Sequence, residues 1–234
     1  MGLGPIAAAF PKGMFPTGAI HEFLSHSKED AAATGGFVPA LLGPLMRPGG
    51  AVIWIGRQRT IFPPALKRFG VDPDKLIFVN LNKEKDLLWA MEEALKCEGL
   101  AAVVGEIRDI DFTSSRKFQL ATEKSRTTGF LLRHQPKNVG TVAAVARWKI
   151  GCLGSVAEDG LPGVGSPRWQ VQLLRVRNGT PGTWTIQWNN IAGLKISEHE
   201  KIHRALLPAS QNGLDGYPPA RVEGDPGRVF RKGA

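Results

Sequence analysis

The sequence has few cysteines and no long apolar run. Its two cysteines, Cys97 and Cys152, lie far apart, which predicts reduced thiols rather than a disulfide framework. No apolar run approaches the roughly 20 residues of a membrane span. The N-terminal run Ile6–Phe10 is too short for a secretory signal, and the residues after Gly2 lack an N-myristoylation pattern. These features predict a cytoplasmic protein without a membrane partner.

Composition and charge further restrict the class of protein. The chain has 234 residues, of which 42% are hydrophobic, enough for the core of one α/β domain. The net charge of +9 is unevenly placed, because residues 108–150 hold nine basic and three acidic residues. A basic segment of this kind suits phosphate backbones or an acidic partner, and equally a solvated face.

Five apolar runs predict buried parallel strands: Ala19–Leu24, Gly50–Ile55, Leu76–Val79, Leu100–Val104 and Thr128–Leu132. Helical patterns lie between them. The first, Phe37–Leu45, is interrupted by prolines and is predicted to be short or to start at Pro39. The others are Pro64–Phe69, Lys85–Lys96 with Leu88 on its buried face, and a helix capped by Thr113 with Leu120 available to the core. This alternation predicts an α/β fold with a mostly parallel sheet flanked by helices.

The pattern changes after Ile150. Residues 151–167 are predicted to be a loop, and Arg168–Arg177 and Thr183–Asn189 to be an antiparallel hairpin. We divide the chain into an N-terminal extension (1–9), an α/β core (10–150), a loop and terminal hairpin that complete the same domain (151–191), and a tail (192–234). The tail is predicted to hold one short helix and to be partly disordered.

Residues 10–23, with the sequence FPKGMFPTGAIHEF, resemble the lead-in to the RecA-like ATPase core. The resemblance continues through Gly49–Ile55 and Leu66–Asp72. Leu100–Glu106 resembles the Walker B strand of these enzymes. The resemblance implies a RecA-like core, in which a phosphate-binding loop would follow the first strand.

That loop is degenerate in the sequence. A phosphate loop reads G-x-x-x-x-G-K-[ST], because glycines let backbone N–H groups close on the phosphates and the lysine neutralises them. In register with the resemblance, Ser25 replaces the first glycine and Asp30 the second. Ala31 stands in place of the lysine and Ala32 in place of the hydroxyl. A carboxylate at this point repels a triphosphate.

Two further catalytic positions are altered. The resemblance places Gln58 where RecA-type enzymes have a glutamate that orients the attacking water, and glutamine cannot act as a base. It places Glu106 where the Walker B aspartate lies near Mg²⁺. We therefore expect a protein that does not hydrolyse ATP and needs no cofactor. The alternative left open is an ATPase with an unorthodox loop, in which Lys28 and Glu106 serve nucleotide and Mg²⁺.

The basic residues supply candidate contacts. RecA-type recombinases grip DNA with long loops, whereas the corresponding connections here, 108–112 and 134–140, are short. The terminal hairpin carries arginines where recombinases place paired lysines. The candidate contacts to DNA or to a partner are Arg108, Arg116, Lys117, Arg133, Lys137, Arg175 and Arg177.

Within this superfamily the sequence resembles ImuA-type proteins of bacterial mutagenesis cassettes. The resemblance is carried by Gly18–Phe23, Leu88–Leu95, Ala101–Glu106, Thr113–Ala121 and Pro167–Val171. It implies an SOS-inducible accessory factor in translesion DNA synthesis. The implied partners are a Y-family polymerase-like protein and an error-prone replicative-type polymerase, with DNA contact and oligomeric state left open. Cell-division inhibitors of the SulA type are degenerate relatives too and form the competing interpretation.

Histidines occur in two places where they could bind a metal or act in catalysis. His199–His203 matches the zinc motif H-E-x-x-H, but it lies in the tail on a short helix capped by Ser197 and no histidine follows as a third ligand. We therefore predict no metal site. His21 lies in an apolar strand and is predicted to be a hydrogen-bonded core histidine.

Overall fold

The computed structural model describes residues 3–156, 165–190 and 192–196. Within these ranges the chain forms a single mixed sheet. Its strands are β1 (Ile20–Ser25), β2 (Val52–Gly56), β3 (Leu76–Asn80), β4 (Ala102–Glu106), β5 (Thr128–His134), β6 (Ala146–Val156), β7 (Ser166–Val176), β8 (Gly182–Asn189) and β9 (Gly193–Ile196). Their order is β3-β2-β4-β5-β1-β6-β7-β8-β9.

The sheet has a parallel half and an antiparallel half. Strands β3, β2, β4, β5, β1 and β6 are parallel, and β7, β8 and β9 continue from β6 in antiparallel pairs. This confirms the predicted α/β class with a mostly parallel sheet and a C-terminal antiparallel hairpin. All five predicted parallel strands are present, with ends within two residues of the predicted ones.

Three α-helices cover the two faces of the parallel half. They are α1 (Lys28–Met46), α2 (Glu84–Lys96) and α3 (Phe112–Ser125), with short 3₁₀ segments at Gly4–Ala9, Pro11–Gly13, Pro63–Phe69 and Pro73–Lys75. The β1–β2 crossover moves toward one edge of the sheet, and the β3–β4 and β4–β5 crossovers move back. Because crossovers are right-handed, α1 packs in one hydrophobic cluster and α2 and α3 pack in another.

Helix α1 corrects the first helix prediction. It begins at Lys28, not near Phe37 or Pro39, and it contains both Pro39 and Pro44. An internal proline costs about 3 kcal/mol, but burying one large apolar side chain contributes about 1.5–3 kcal/mol. Several α1 side chains are buried, including Phe37 and Leu41. Tertiary packing on both sides of α1 therefore outweighs its unfavourable local sequence.

The C-terminal part also differs from the prediction. Residues 151–156 continue β6 instead of forming a loop, since Gly151 pairs with Gln170 and Cys152 with Trp169. Gly193–Ile196 forms β9 on β8, although it was assigned to the tail. The predicted tail helix and the H-E-x-x-H pattern lie outside the described residues. At the other end, Leu3 and Ile6 of the predicted extension are buried in the core.

Smaller corrections concern α2 and α3. Leu87 rather than Leu88 is fully buried in α2. Helix α3 is capped by Asp111, whose side chain accepts a hydrogen bond from the Ser114 N–H, and not by Thr113. Leu120, predicted for the core, is 51% exposed. No helix in the described part of the chain combines the length and apolar character needed to cross a membrane.

His21 is a core residue, as predicted. Its ring is fully buried and stacks on Phe15 with ring centroids 4.2 Å apart. Its Nε2 lies 2.7 Å from the Pro16 carbonyl oxygen, and the Trp148 indole N–H donates to its Nδ1. Burial lowers the pKa of His21 to about 4, only partly offset by the hydrogen bond to Pro16. The side chain is therefore neutral at physiological pH.

Candidate functional site

The carboxyl ends of the parallel strands meet at one edge of the sheet, where open α/β folds bind their ligands. Strands β1, β2, β4 and β5 all end there, at Ser25, Gly56, Glu106 and His134. The residues assigned to a degenerate nucleotide site lie at the ends of three of these strands: Ser25 and residues 28–32 at β1, Gln58 after β2, and Glu106 at the end of β4. The edge therefore holds two features to compare, the β1–α1 connection and a cleft at Glu106.

The β1–α1 connection is only two residues long, His26 and Ser27. Ser27 is the N-cap of α1, and its hydroxyl accepts a hydrogen bond from the Asp30 N–H at 3.0 Å. The Ser25 side chain is buried, with its hydroxyl 3.1 Å from that of Thr34. A phosphate loop needs several glycine-rich residues between strand and helix to surround a phosphate. The β1–α1 connection is too short for this, and its polar groups form hydrogen bonds within the chain instead.

The start of α1 already holds a negative charge from its own sequence. A helix N-terminus attracts anions because its first N–H groups lack partners within the helix. The carboxylate of Glu29 takes this role, since hydrogen bonds from its own backbone N–H and from the Ser27 hydroxyl lower its pKa. Lys28 is exposed beside it. The groups that would receive a phosphate are therefore occupied by the chain itself.

The structure also changes the interpretation of the residues that the sequence aligns with a phosphate loop. Asp30, Ala31 and Ala32 lie inside α1, in its first two turns. They are not members of a loop that has lost its glycines, because the loop itself is missing. Ser25 likewise points into the core and not toward a ligand.

The second feature is a cleft of about 450 Å³ at the ends of β2, β4 and β5. Its lining residues are Arg57, Gln58, Thr60, Glu84, Glu106, Arg108, Leu132 and His134. Two predicted site residues, Gln58 and Glu106, meet here. Ser25, Lys28, Asp30, Ala31 and Ala32 do not line it.

Glu106 is held in place by a hydrogen bond from the neighbouring strand. The indole N–H of Trp54 on β2 donates to Glu106 Oε1 at 2.8 Å, and the Thr60 hydroxyl donates to the same atom at 3.5 Å. The other carboxylate oxygen lies against Gly56. This arrangement fixes the position of the Glu106 carboxylate, and the second carboxylate of the cleft, Glu84, is paired with Arg57. Within the described residues no cluster of three or more His, Cys, Asp or Glu side chains could bind a metal ion.

Charges around the cleft are mostly paired. Arg57 forms an ion pair with Glu84 at 2.8 Å, and the other oxygen of Glu84 accepts the Arg108 N–H at 3.0 Å. The Arg108 side chain donates to the Gln135 carbonyl oxygen at 2.8 Å. These contacts tie the β2, β4 and β5 ends together. Sequence reasoning missed Glu84, because an acidic residue in the first turn of a helix has an ordinary local role.

His134 is the least satisfied group in the cleft. Its Nδ1 is buried and has no hydrogen-bond partner within the described residues. Burial lowers the pKa of His134, and the nearby carboxylate of Glu106 opposes this effect. The imidazole is therefore a neutral group next to a carboxylate.

Arg133 requires a correction to the contact prediction. Its side chain is 1% exposed and forms an ion pair of 2.7 Å with Glu22, which is fully buried. Glu22 also pairs with Arg147, a residue that sequence reasoning did not single out. Arg133 and Arg147 donate further to the Asn138 and Gly140 carbonyl oxygens. This buried network holds the β5–β6 connection against the sheet, so Arg133 presents no surface to DNA or a partner.

The other candidate contacts are exposed and fall into three places. Arg108 and Lys137 lie near the carboxyl edge, where the Lys137 N–H donates to Asp109 at 2.9 Å. Lys117 lines a groove of about 650 Å³ between α2 and α3. The remaining three line a separate cleft of about 400 Å³: Arg116, Arg175 and Arg177.

Comparisons with known proteins identify the family. The chain matches no protein-family model. It is similar to two curated proteins named Protein ImuA from Caulobacter vibrioides, one from strain NA1000 / CB15N and one from strain ATCC 19089 / CIP 103742 / CB 15. Each is 37% identical over 194 residues, which cover 78% of this chain and 80% of the relative. The chain therefore belongs to the ImuA family.

Proposed function

We propose that the protein is a non-hydrolysing accessory factor of SOS-inducible translesion DNA synthesis. It acts through contacts with a Y-family polymerase-like protein and an error-prone replicative-type polymerase. Membership of the ImuA family supports the role in damage-induced mutagenesis. The absence of hydrolysis is supported by the geometry of the carboxyl edge.

The observation that carries the proposal is the two-residue β1–α1 connection. Ser27 and Glu29 occupy the first N–H groups of α1, and the connection has no room to surround a triphosphate. An added nucleotide would have to displace the Glu29 carboxylate and then lie beside it. Both steps oppose binding, because like charges repel and the capping bond is lost.

The cleft at Glu106 supports the same conclusion. Its carboxylate accepts hydrogen bonds from Trp54 and Thr60, and Gln58 is the exposed residue beside it. Gln58 cannot act as a base, and Glu106 Oε1 is already held by its two hydrogen bonds. The glutamine at position 58 thus supports the non-hydrolysing proposal.

Calorimetry with Mg-ATP tests the non-hydrolysing part. We expect no heat of binding and no rise in melting temperature, since a ligand bound only by the native state must stabilise it. A RecA recombinase measured in the same buffer is the positive control. Binding that is abolished by Lys28→Gln and by Glu106→Gln would instead support the ATPase with an unorthodox loop.

Binding to purified candidate partners tests the accessory role. We expect a stable complex with the Y-family polymerase-like protein of the same cell. Absence of that complex would overturn the proposal. Filamentation of cells on overexpression, without any polymerase partner, would transfer the assignment to a cell-division inhibitor of the SulA type.

A further inference from the structure

Three arginines that lie far apart in the sequence meet at one cleft. Arg116 is on α3, Arg175 is on β7, and Arg177 directly follows that strand. The cleft has a volume of about 400 Å³, and residues 141–144 of the β5–β6 connection form its floor. It lies away from the carboxyl-edge cleft and shares no lining residue with it.

None of the three guanidinium groups is paired with a carboxylate among residues 3–156, 165–190 and 192–196. Arg116 donates to the Gln119 side-chain oxygen at 2.6 Å, and Arg175 donates to the Val142 carbonyl oxygen at 2.9 Å. Both acceptors are neutral. By contrast, Arg57, Arg133 and Arg147 each form an ion pair with a glutamate. The cleft therefore concentrates three guanidinium groups without a direct ion pair in the described part of the chain, while Gln119, the acceptor of Arg116, donates in turn to Glu123.

The cleft is also apolar between its charges. Phe112, one turn before Arg116 on α3, is 54% exposed, and Val142, Ala144 and Val176 contribute to the lining. A concave apolar surface bordered by guanidinium groups fits an apolar side chain flanked by carboxylates, because arginine binds carboxylates in bidentate fashion. A nucleic acid strand would instead need cations spaced along a groove that follows its backbone.

We propose that this arginine cleft is the docking site for an acidic peptide segment of the polymerase-like partner, with one apolar residue seated against Phe112. The inference rests on the proposed function, since that function supplies the partner. The inference specifies where the partner binds and which kind of peptide segment is recognised. Lys117, the sequence neighbour of Arg116, faces a different groove and is not part of the site.

The test compares two charge-matched double variants. Arg116→Gln with Arg177→Gln removes two guanidinium groups and leaves Arg175 to hold the Val142 carbonyl oxygen. Arg47→Gln with Lys67→Gln removes the same charge from exposed positions outside the cleft. The probes are a fluorescein-labelled peptide of alternating aspartate and leucine, the same peptide with asparagine for aspartate, and labelled oligothymidylate. Melting temperatures verify that both variants fold.

The expected result separates the two variants and the two peptides. The cleft variant binds the aspartate peptide at least about tenfold more weakly than the wild type, as expected for losing charge-assisted hydrogen bonds, and it binds the purified Y-family partner correspondingly less well. The control variant retains both interactions. The asparagine peptide binds neither protein.

Three outcomes would overturn the inference. Equal partner binding by the wild type and the cleft variant would remove the cleft from the interface while leaving the proposed function intact. A larger loss of oligothymidylate binding than of peptide binding would assign the arginines to nucleic acid. Loss of self-association in the cleft variant would assign the cleft to a second copy of the chain. Failure of the wild type to bind the partner at all contradicts the proposed function itself.

Discussion

The hydroxyl of Ser27 accepts a hydrogen bond from the backbone N–H of Asp30 at 3.0 Å. This short contact begins α1 two residues after β1 ends. In a nucleotide-binding α/β protein the same N–H groups would face a phosphate. Here they serve as the cap of the helix, and the first turn also carries the Glu29 carboxylate. The geometry of one connection thus favours a scaffold role over ATP chemistry.

The first prediction concerns restoring the missing motif residues. The triple variant Asp30→Gly, Ala31→Lys and Ala32→Thr recreates the end of a phosphate-loop motif in the sequence. We expect it to bind no more Mg-ATP than the wild type, because these positions lie inside α1 and the loop before them is absent. Calorimetry is the measurement. Tight binding by the triple variant would show that side chains alone, and not the connection, were limiting.

The second prediction concerns the helix cap. Ser27→Ala removes the acceptor of the Asp30 N–H and is expected to lower the free energy of unfolding by about 1 kcal/mol. Urea denaturation measures the change. Thr113→Ala on α3 is the matched control, since Thr113 is exposed in the first turn of that helix and Asp111, not Thr113, is its cap. Equal stability of Ser27→Ala and the wild type would argue against the cap.

The third prediction concerns the buried ion network. Glu22→Gln removes the buried carboxylate that Arg133 and Arg147 share and leaves Arg133 only the longer contact of 3.7 Å with Asp109. We expect it to destabilise the protein by about 3–5 kcal/mol. Lys96→Gln, which disrupts exposed ion pairs with Glu92 and Glu93, should cost less than about 1 kcal/mol. Chemical denaturation distinguishes the two. Similar small losses in both variants would mean that the network is not a structural element.

The fourth prediction concerns pH. The pKa of His21 is lowered from 6.5 to about 4 in the folded protein, so the unfolded chain binds its proton first as pH falls. The resulting stabilisation is complete above the unfolded pKa and is lost as pH decreases from about 6.5 to about 4, with a magnitude of roughly 3 kcal/mol.

The measurement is the free energy of unfolding at several pH values for the wild type and for His21→Phe. The phenylalanine can stack on Phe15 but cannot titrate, so its stability should fall less steeply below pH 6.5. Identical slopes for the two proteins would contradict the assignment of this pH dependence to His21.

The strands were predictable because burial on both faces leaves a local signature. The runs that became β2 and β4 are nearly continuous apolar segments, and parallel strands covered on both sides require such runs. Pairing between distant segments leaves no such signature. Gly151–Val156 reads as a loop and becomes a strand only because β7 lies beside it.

The site was predictable in position but not in geometry. The resemblance placed Gln58 and Glu106 after two core strands, and the structure brings both to one cleft. The start of α1 at Lys28 is not evident from the sequence, because proline and glycine residues further along the helix conceal it. Arg133 was read as a surface cation, because its partner Glu22 lies 111 residues away in the sequence.

The most direct test of the account is the affinity between this protein and the purified Y-family polymerase-like partner, measured by calorimetry with and without Mg-ATP. We predict a complex whose affinity is the same in both conditions, because the partner contact does not depend on a nucleotide. A complex that forms only when Mg-ATP is present would contradict the account, since it would require the carboxyl edge to bind nucleotide after all.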